Sequence, residues 1–273
     1  MTLKDSVDLL DTAIQYLRMK KQIVLSEHLL ADKYVSSINE VTPEFLEEQG
    51  IEAIIWDVDG TLMGYHGTEV DHSVRKAYEA LIGFKQAILS NSGEGRFRQL
   101  GFILDNIPVV RIYENKKDPG DVIVREIVRK VDYLWKINEL DEEERLASYD
   151  LIGMSNSFNW VRDYRKHISG YRALKKPNPK LIEYAMRIMG IDDVSKVAMI
   201  GDKASTDIIG GNMAGVYTIQ IFPPLKGWMD KPLVKSWARP REERLVLQHL
   251  REAGRQKDVD RITRYKMDQK GYV

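Results

Sequence analysis

The chain has 273 residues, enough for one good-sized core with appendages or for two domains. Its 41 Lys and Arg residues balance 41 Asp and Glu residues, so no overall charge favours nucleic acid as a partner. The absence of cysteine excludes disulfides, thiol nucleophiles and thiolate metal sites and fits a reducing, cytoplasmic compartment. We expect no secretion signal and no transmembrane segment, so any membrane contact would be peripheral.

The first 50 residues are predicted to form a helical extension. Apolar residues recur at near-helical spacing over 5–32, with charged residues between them. A second, short helix is predicted to begin at Thr42, a capping hydroxyl followed by Pro43, and to end at Gly50.

A core domain is predicted over residues 51–225, where apolar strands alternate with helices. The predicted strands are 51–56, 85–89, 107–113, 197–200 and 217–222. Helices are predicted over 71–82, 96–104, 179–189 and 210–215. This alternation predicts an α/β fold with a mainly parallel sheet.

The stretch between the third and fourth of these strands has a different composition. Apolar residues from Val122 to Leu134 recur at helical spacing and predict a helical insert over about 114–147, with a turn near Asn138. A strand is predicted at 150–153. The aromatic and basic residues of 160–167 fit either a helix that packs its aromatic side chains or the lining of a substrate entrance.

The last segment, 226–273, is basic, with 13 Lys and Arg against 7 Asp and Glu. A helix is predicted over 242–252, and the polar stretch 254–273 is predicted to be a partly disordered tail. Two interpretations remain open: a solvated helix and tail, or peripheral contact with an anionic membrane surface or a partner chain.

The most informative stretch is Asp57-Val58-Asp59-Gly60-Thr61, directly after a buried strand. Ligands of open α/β sheets bind beyond the carboxyl ends of the strands. Because side chains alternate along a strand, Asp57 and Asp59 are predicted to point the same way. Two carboxylates on one face favour a cation or a shared proton between them.

Polar groups follow two further strands. Ser90 and Asn91 come after the second strand and can hold phosphoryl oxygens through a hydroxyl, an amide and backbone N–H groups. Asp202 follows Gly201 at the end of the fourth strand, and Asp207 opens the next helix. Lys176 stands before Pro177 ahead of a predicted helix, with Lys175 as the alternative lysine.

These four groups, in this order and after these strands, resemble the motifs of the haloacid dehalogenase (HAD) superfamily of phosphohydrolases. The likeness covers roughly residues 34–225. It implies a Rossmann-like three-layer α/β/α sandwich with a small insert, and the usual Lys-Pro pair selects Lys176 over Lys175.

The resemblance also implies roles for individual residues. Asp57 would attack phosphorus and form an aspartyl-phosphate, and Asp59 would protonate the leaving oxygen and then deprotonate water. Mg²⁺ would be held by Asp57, the Asp59 carbonyl and Asp202. Ser90, Asn91 and Lys176 would bind the phosphate. Asp207 and Thr61 would support the site, Asp207 by holding Lys176 or a metal-bound water.

The spacing of the motifs narrows the choice among the branches of the superfamily. About 27 residues between the first two motifs leave no room for a large cap, and about 84 lie between the second and third. Residues 35–62, Lys176-Pro177-Asn178-Pro179 and 201–222 resemble the subfamily IIIA branch that includes phosphatidylglycerophosphate phosphatases. That branch usually has Asn in place of Gly60 and a shorter stretch between the second and third motifs. The expected substrate is a phosphorylated small molecule or a lipid head group such as phosphatidylglycerophosphate. The alternatives are a non-catalytic scaffold and a phosphotransferase, and the sequence carries no signal for an oligomeric state.

Overall fold

A computed structural model describes residues 28–65, 67–104, 106–136, 168–222 and 239–269. Its strands form one sheet. They are β1 (Lys33–Val35), β2 (Ala53–Trp56), β3 (Lys85–Leu89), β4 (Val109–Asn115), β5 (Val122–Val128), β6 (Val131–Lys136), β7 (Tyr171–Ala173), β8 (Val197–Gly201) and β9 (Tyr217–Ile221). The order across the sheet is β1-β9-β8-β2-β3-β4-β5-β6, and β7 pairs with β4 off this path.

The strands from β1 to β4 in this order are all parallel, which confirms the mainly parallel α/β sheet. The α-helices are α1 (Pro43–Glu48), α2 (His72–Ala80), α3 (Glu94–Ile103), α4 (Lys180–Ile188), α5 (Ile209–Ala214), α6 (Arg239–Glu252) and α7 (Gln256–Gln269). Apolar side chains of α1, α2 and α3 cover one face of the sheet, and those of α4 cover the other. All four residues of β2 are buried, as expected for a central parallel strand covered on both faces.

The predicted helical insert is wrong over 122–136, where the chain forms the antiparallel strands β5 and β6. Every residue of β5 is buried, so its apolar residues do not alternate and their spacing also fits a helix. Arg129 and Lys130, both with positive φ, make the tight turn between the two strands. The predicted features at 137–167, including the turn near Asn138, the strand at 150–153 and the aromatic-basic cluster, lie outside the described residues.

Most of the predicted N-terminal helix, residues 5–27, also lies outside the described residues. The prediction is wrong at its end, because residues 29–32 are not helical and β1 follows them. Tyr34 and Val35 of β1 are fully buried beside β9. The short helix α1 is confirmed, and the Thr42 hydroxyl accepts a hydrogen bond from the backbone of Phe45 as an N-cap.

The C-terminal segment contains two helices rather than a helix and a tail. The predicted helix is confirmed as α6, but the prediction of a partly disordered polar stretch is wrong over 256–269, which form α7. Val259 and Ile262 of α7 are buried with Tyr34 of β1, and this small apolar face fixes an otherwise polar helix. Within the described residues, no helix is long and apolar enough to cross a membrane.

Candidate functional site

Three aspartates meet at the carboxyl ends of the neighbouring strands β2 and β8. Trp56 pairs in register with Ile200, so the first residues past both strands come close together. Asp57, Asp202 and Asp207 are all buried, and each offers a carboxylate oxygen within 4.8 Å of the other two. Three buried carboxylates at this separation repel one another unless cations or protons lie among them.

Lys176 supplies one such cation. Its ammonium lies 2.6 Å from Oδ1 of Asp57 and 2.8 Å from Oδ1 of Asp207, and its side chain is 2% exposed. Lys175 is exposed. The structure therefore brings Lys176, and not Lys175, into contact with the residue predicted to attack phosphorus.

Burial and charge shift the proton affinities of this pair. Burial raises the pKa of Asp57 above its usual range, Lys176 lowers it, and the other two aspartates add to the rise. Burial lowers the pKa of the Lys176 ammonium, but Asp207 and Asp57 raise it by more, so the net shift is upward. Lys176 is therefore a fixed positive charge, whereas Asp57 holds its proton more tightly than an ordinary aspartate.

The turn after β8 depends on a glycine. A Cβ on Gly201 would lie 2.4–2.5 Å from side-chain atoms of Asp207, so only glycine allows this approach. The chain then forms a π-helical turn over Ala204–Ile208, and the backbone N–H of Lys203 donates to Oδ2 of Asp207 (3.0 Å). Lys176 and this backbone group together hold the Asp207 carboxylate in one position.

Ser90 and Asn91 lie beside this cluster, at the end of β3. The Asn91 side chain pairs with the backbone of Lys176 in both directions: its Nδ2 donates to the carbonyl (3.0 Å) and its Oδ1 accepts from the N–H (2.8 Å). The Ser90 hydroxyl accepts from the backbone of Ser92 at 3.3 Å. Asn91 thus links the loop after β3 to the loop that carries Lys176, and Ser90 and Lys176 line one small cavity.

Asp59 forms an ion pair with Arg96, and both side chains are largely buried. Arg96 of α3 donates to both of its oxygens, from Nη2 to Oδ1 at 2.6 Å and from Nε to Oδ2 at 3.4 Å. The chain turns at Gly60, whose φ of 100° favours glycine, and Gly60 N–H donates to Met63 (2.7 Å). Thr61 is buried, and its hydroxyl has no hydrogen-bond partner among the described residues.

Four residues at the site carry no motif in the sequence. They are Tyr65, Arg96, Lys203 and Arg239. The Lys203 ammonium donates to the Tyr65 hydroxyl, and burial lowers the pKa of Lys203 but Tyr65, Asp202 and Asp57 raise it by more. Lys203 directly follows Asp202 of the fourth motif, so its place near the site could have been predicted from the sequence. Arg239 stands in a generally basic stretch, where nothing distinguishes it from its neighbours.

The donor set fits a hard divalent cation. Such an ion takes carboxylate oxygens as ligands, usually one or two of them together with water and substrate oxygens. Oδ1 of Asp202 is buried and has no hydrogen-bond partner among the described residues, while Oδ2 binds Arg239 at 2.6 Å. Together with Asp57, this oxygen gives the loop ends of β2 and β8 the ligand chemistry of a magnesium site.

Parts of the chain are similar to known HAD-like proteins. A family model described as HAD-hydrolase-like matches residues 173–253, which include Lys176, Asp202 and Asp207. The chain is 34% identical over 77 residues to the pyrimidine 5′-nucleotidase YjjG of Escherichia coli, across 24% of this chain and 34% of that protein. It is 27% identical over 106 residues to the probable phosphatase YqeG of Bacillus subtilis, across 38% of this chain and 60% of that protein.

The matched stretches thus span about a third of the nucleotidase and three fifths of the probable phosphatase. A crystal structure of an uncharacterized protein from Listeria monocytogenes serotype 4b is 19% identical and covers 68% of this chain and 88% of its own, but its TM-score of 0.34 is too low to bear on the fold.

Proposed function

We propose that the protein is a Mg²⁺-dependent phosphomonoester hydrolase that works through an aspartyl-phosphate on Asp57. One observation carries this proposal: the buried cluster of Asp57, Asp202 and Asp207 with Lys176 among them. Phosphoryl transfer needs positioned groups that cancel negative charge, and this cluster combines a nucleophile, a fixed cation and metal ligands at one sheet edge.

Asp57 and Asp202 would hold Mg²⁺, with the Asp59 carbonyl as the further protein ligand implied by the resemblance. The ion would supply charge neutralisation at the transferring phosphoryl group. Lys176 would neutralise phosphoryl oxygens from its place beside Asp57, and Ser90 with the backbone of Asn91 would hold the remaining oxygens. Asp207 keeps Lys176 in place through their 2.8 Å ion pair.

In the first step, an oxygen of Asp57 attacks phosphorus and the bond between phosphorus and the leaving oxygen breaks. Asp59 gives its proton to that oxygen, so an alcohol leaves. In the second step, Asp59 takes a proton from water as the water attacks phosphorus, and the bond to Asp57 breaks to release phosphate. For both steps Asp59 must exchange its contact with Arg96 for one with the substrate.

The test is hydrolysis of p-nitrophenyl phosphate with and without Mg²⁺. We expect Asp57→Asn to lower kcat by more than about a thousandfold, as loss of a nucleophile does. Asp192→Asn, in an exposed loop away from the site, is the matched control. No Mg²⁺-dependent turnover by the wild type, or full turnover by Asp57→Asn, would contradict the proposal and favour a non-catalytic scaffold.

The same assay separates hydrolysis from transfer and explores the substrate. Phosphate that appears on an added alcohol rather than in solution would indicate a phosphotransferase. A screen would compare pyrimidine nucleoside monophosphates, suggested by the relative in Escherichia coli, with phosphatidylglycerophosphate, suggested by the subfamily resemblance. Preference for the lipid would favour peripheral membrane contact through the basic C-terminal segment.

A further inference from the structure

The N-terminal end of helix α6 contacts the site residue Asp202. Its first residue, Arg239, places Nη2 2.6 Å from Oδ2 of Asp202, and the side chains of this pair are 16% and 0% exposed. Its guanidinium also lies over the Tyr65 ring, at 5.6 Å from the centroid. Removal of one partner from an ion pair with so little water around it is strongly destabilising, because the other charge is left buried without compensation.

Two further contacts fix α6 at this place. Glu242, one turn along the helix, accepts a hydrogen bond from the backbone N–H of Ser205 at 2.6 Å. Val246 and Leu250 are buried against Ala204, Ile208 and the end of β9. The start of α6 is therefore attached to the π-helical turn that contains Asp207 and begins two residues after Asp202.

The two carboxylate oxygens of Asp202 have different surroundings. Arg239 occupies Oδ2, while Oδ1 is buried with no hydrogen-bond partner among the described residues. A carboxylate free to rotate presents either oxygen, but one held by a guanidinium presents the other oxygen in a fixed direction. Carboxylates that bind metals are commonly oriented in this way, and loss of the orienting partner weakens metal binding about 10- to 100-fold.

We propose that Arg239 is a positioning residue that orients Asp202 for a divalent cation, which makes the C-terminal helix α6 part of the active site. This inference rests on the proposed function, since it assigns Asp202 to the cation. Arg239 acts through Asp202 and is not itself a metal ligand. Orientation by Arg239 favours the ion and the charge of Arg239 opposes it, so the sign of the effect on metal affinity tests the inference.

The experiment is direct titration of the full-length protein with Mn²⁺, with free Mn²⁺ measured by electron paramagnetic resonance. We expect Arg239→Met to raise the Kd for Mn²⁺ about 10- to 100-fold. Arg239→Lys keeps the charge but loses the planar donor geometry, so part of the affinity should return. Arg244→Met is the matched control, because Arg244 is exposed on the same helix and its Nε donates to the Pro240 carbonyl.

Circular dichroism of each variant checks that the fold is kept, and Arg239→Lys keeps the test valid if Arg239→Met does not fold. An unchanged Kd in Arg239→Met, or a lower one, would overturn the inference, since a lower Kd means that Arg239 competes with the cation. Absence of Mn²⁺ binding by the wild type would overturn it too. A wild type that binds Mn²⁺ but hydrolyses no phosphomonoester would overturn only the proposed function.

Discussion

Two networks of buried charge lie on opposite parts of the sheet, and they differ in how completely they are paired. The Arg125 network consists of Arg125, Glu94, Asp132 and Arg111. Arg125 on β5 has a fully buried side chain whose Nε and Nη2 both bind Asp132, at 2.8 and 2.5 Å. Its Nη1 binds both oxygens of Glu94, at 2.8 and 3.0 Å, and Glu94 also accepts from Arg111 at 2.9 Å.

The site network consists of Asp57, Lys176, Asp202, Asp207 and Arg239. It holds three carboxylates, and one oxygen of Asp202 has no partner among the described residues. Its central carboxylate, Asp57, has a raised pKa because of burial. The comparison teaches that buried charge alone does not indicate function: a network whose groups are paired has a structural role, whereas one that leaves a buried carboxylate oxygen without a partner among the described residues is suited to bind a cation.

The first prediction separates the networks by stability. Arg125→Met leaves Asp132 and Glu94 without their shared cation, so we expect the free energy of unfolding to fall by about 3–5 kcal/mol. Urea denaturation measures this change, with Lys76→Met on the exposed side of α2 as the control. Folded Arg125→Met protein should keep the wild-type kcat. A loss of kcat larger than the loss of folded protein would mean that the Arg125 network also serves the reaction.

The second prediction distinguishes the two networks by activity rather than by stability. Lys176→Met removes the cation beside Asp57, so we expect kcat for p-nitrophenyl phosphate to fall about 10²–10³-fold, as for loss of one transition-state charge contact. Lys175→Met, one residue away and exposed, is the matched control and should retain full activity. Equal losses in the two variants would contradict the placement of Lys176 in the site.

The sequence predicted the parallel half of the molecule well and the rest poorly, for a physical reason. Buried parallel strands such as Ile54–Trp56 are short apolar runs that end in polar turns, so both strand and site residues can be located. Strand β5 carries Arg125 and Glu126 within its apolar run, and its buried residues do not alternate with exposed ones, so the spacing of its apolar residues also fits a helix. Polar composition concealed α7, which two buried side chains hold in place.

The residues of the site also divide into those that the sequence predicts and those that only the structure shows. Asp57, Lys176, Asp202 and Asp207 follow strands or precede helices at recognisable spacing, and the structure brings them together. Arg239 and Arg96 reach the site across more than 35 residues of chain, from helix surfaces where an arginine is ordinary. Only three-dimensional contacts reveal such residues, because no local pattern requires an arginine there.

A smaller effect is expected at Arg96, which links the site to α3. Arg96→Met removes the two hydrogen bonds that Arg96 donates to Asp59 and another that it donates to the Gly67 carbonyl at 2.6 Å. A misplaced proton donor costs up to about a hundredfold in kcat, and we expect a loss within that range. Arg98→Met on the same helix is the control. Higher activity in Arg96→Met would show instead that Arg96 restrains Asp59 from reaching the substrate.

The smallest expected effect is on how the stability of the metal-free protein depends on pH. The folded state raises the pKa of Asp57 above the value of about 3.9 that it has in an unfolded chain. As pH rises above about 4, the folded state therefore holds the proton longer than the unfolded state does, and this group reduces stability progressively.

Asp57→Asn has no such proton, so its stability relative to the wild type should increase as pH rises from about 5 to about 8. Urea denaturation of both proteins in chelator measures the trend, and the slope matters rather than the offset, because Asn also lacks the negative charge that pairs with Lys176. Mg²⁺ should flatten the trend by stabilising the ionised carboxylate of the wild type. A difference independent of pH would contradict the raised pKa of Asp57 and would mean that Lys176 fully offsets the effect of burial on this carboxyl.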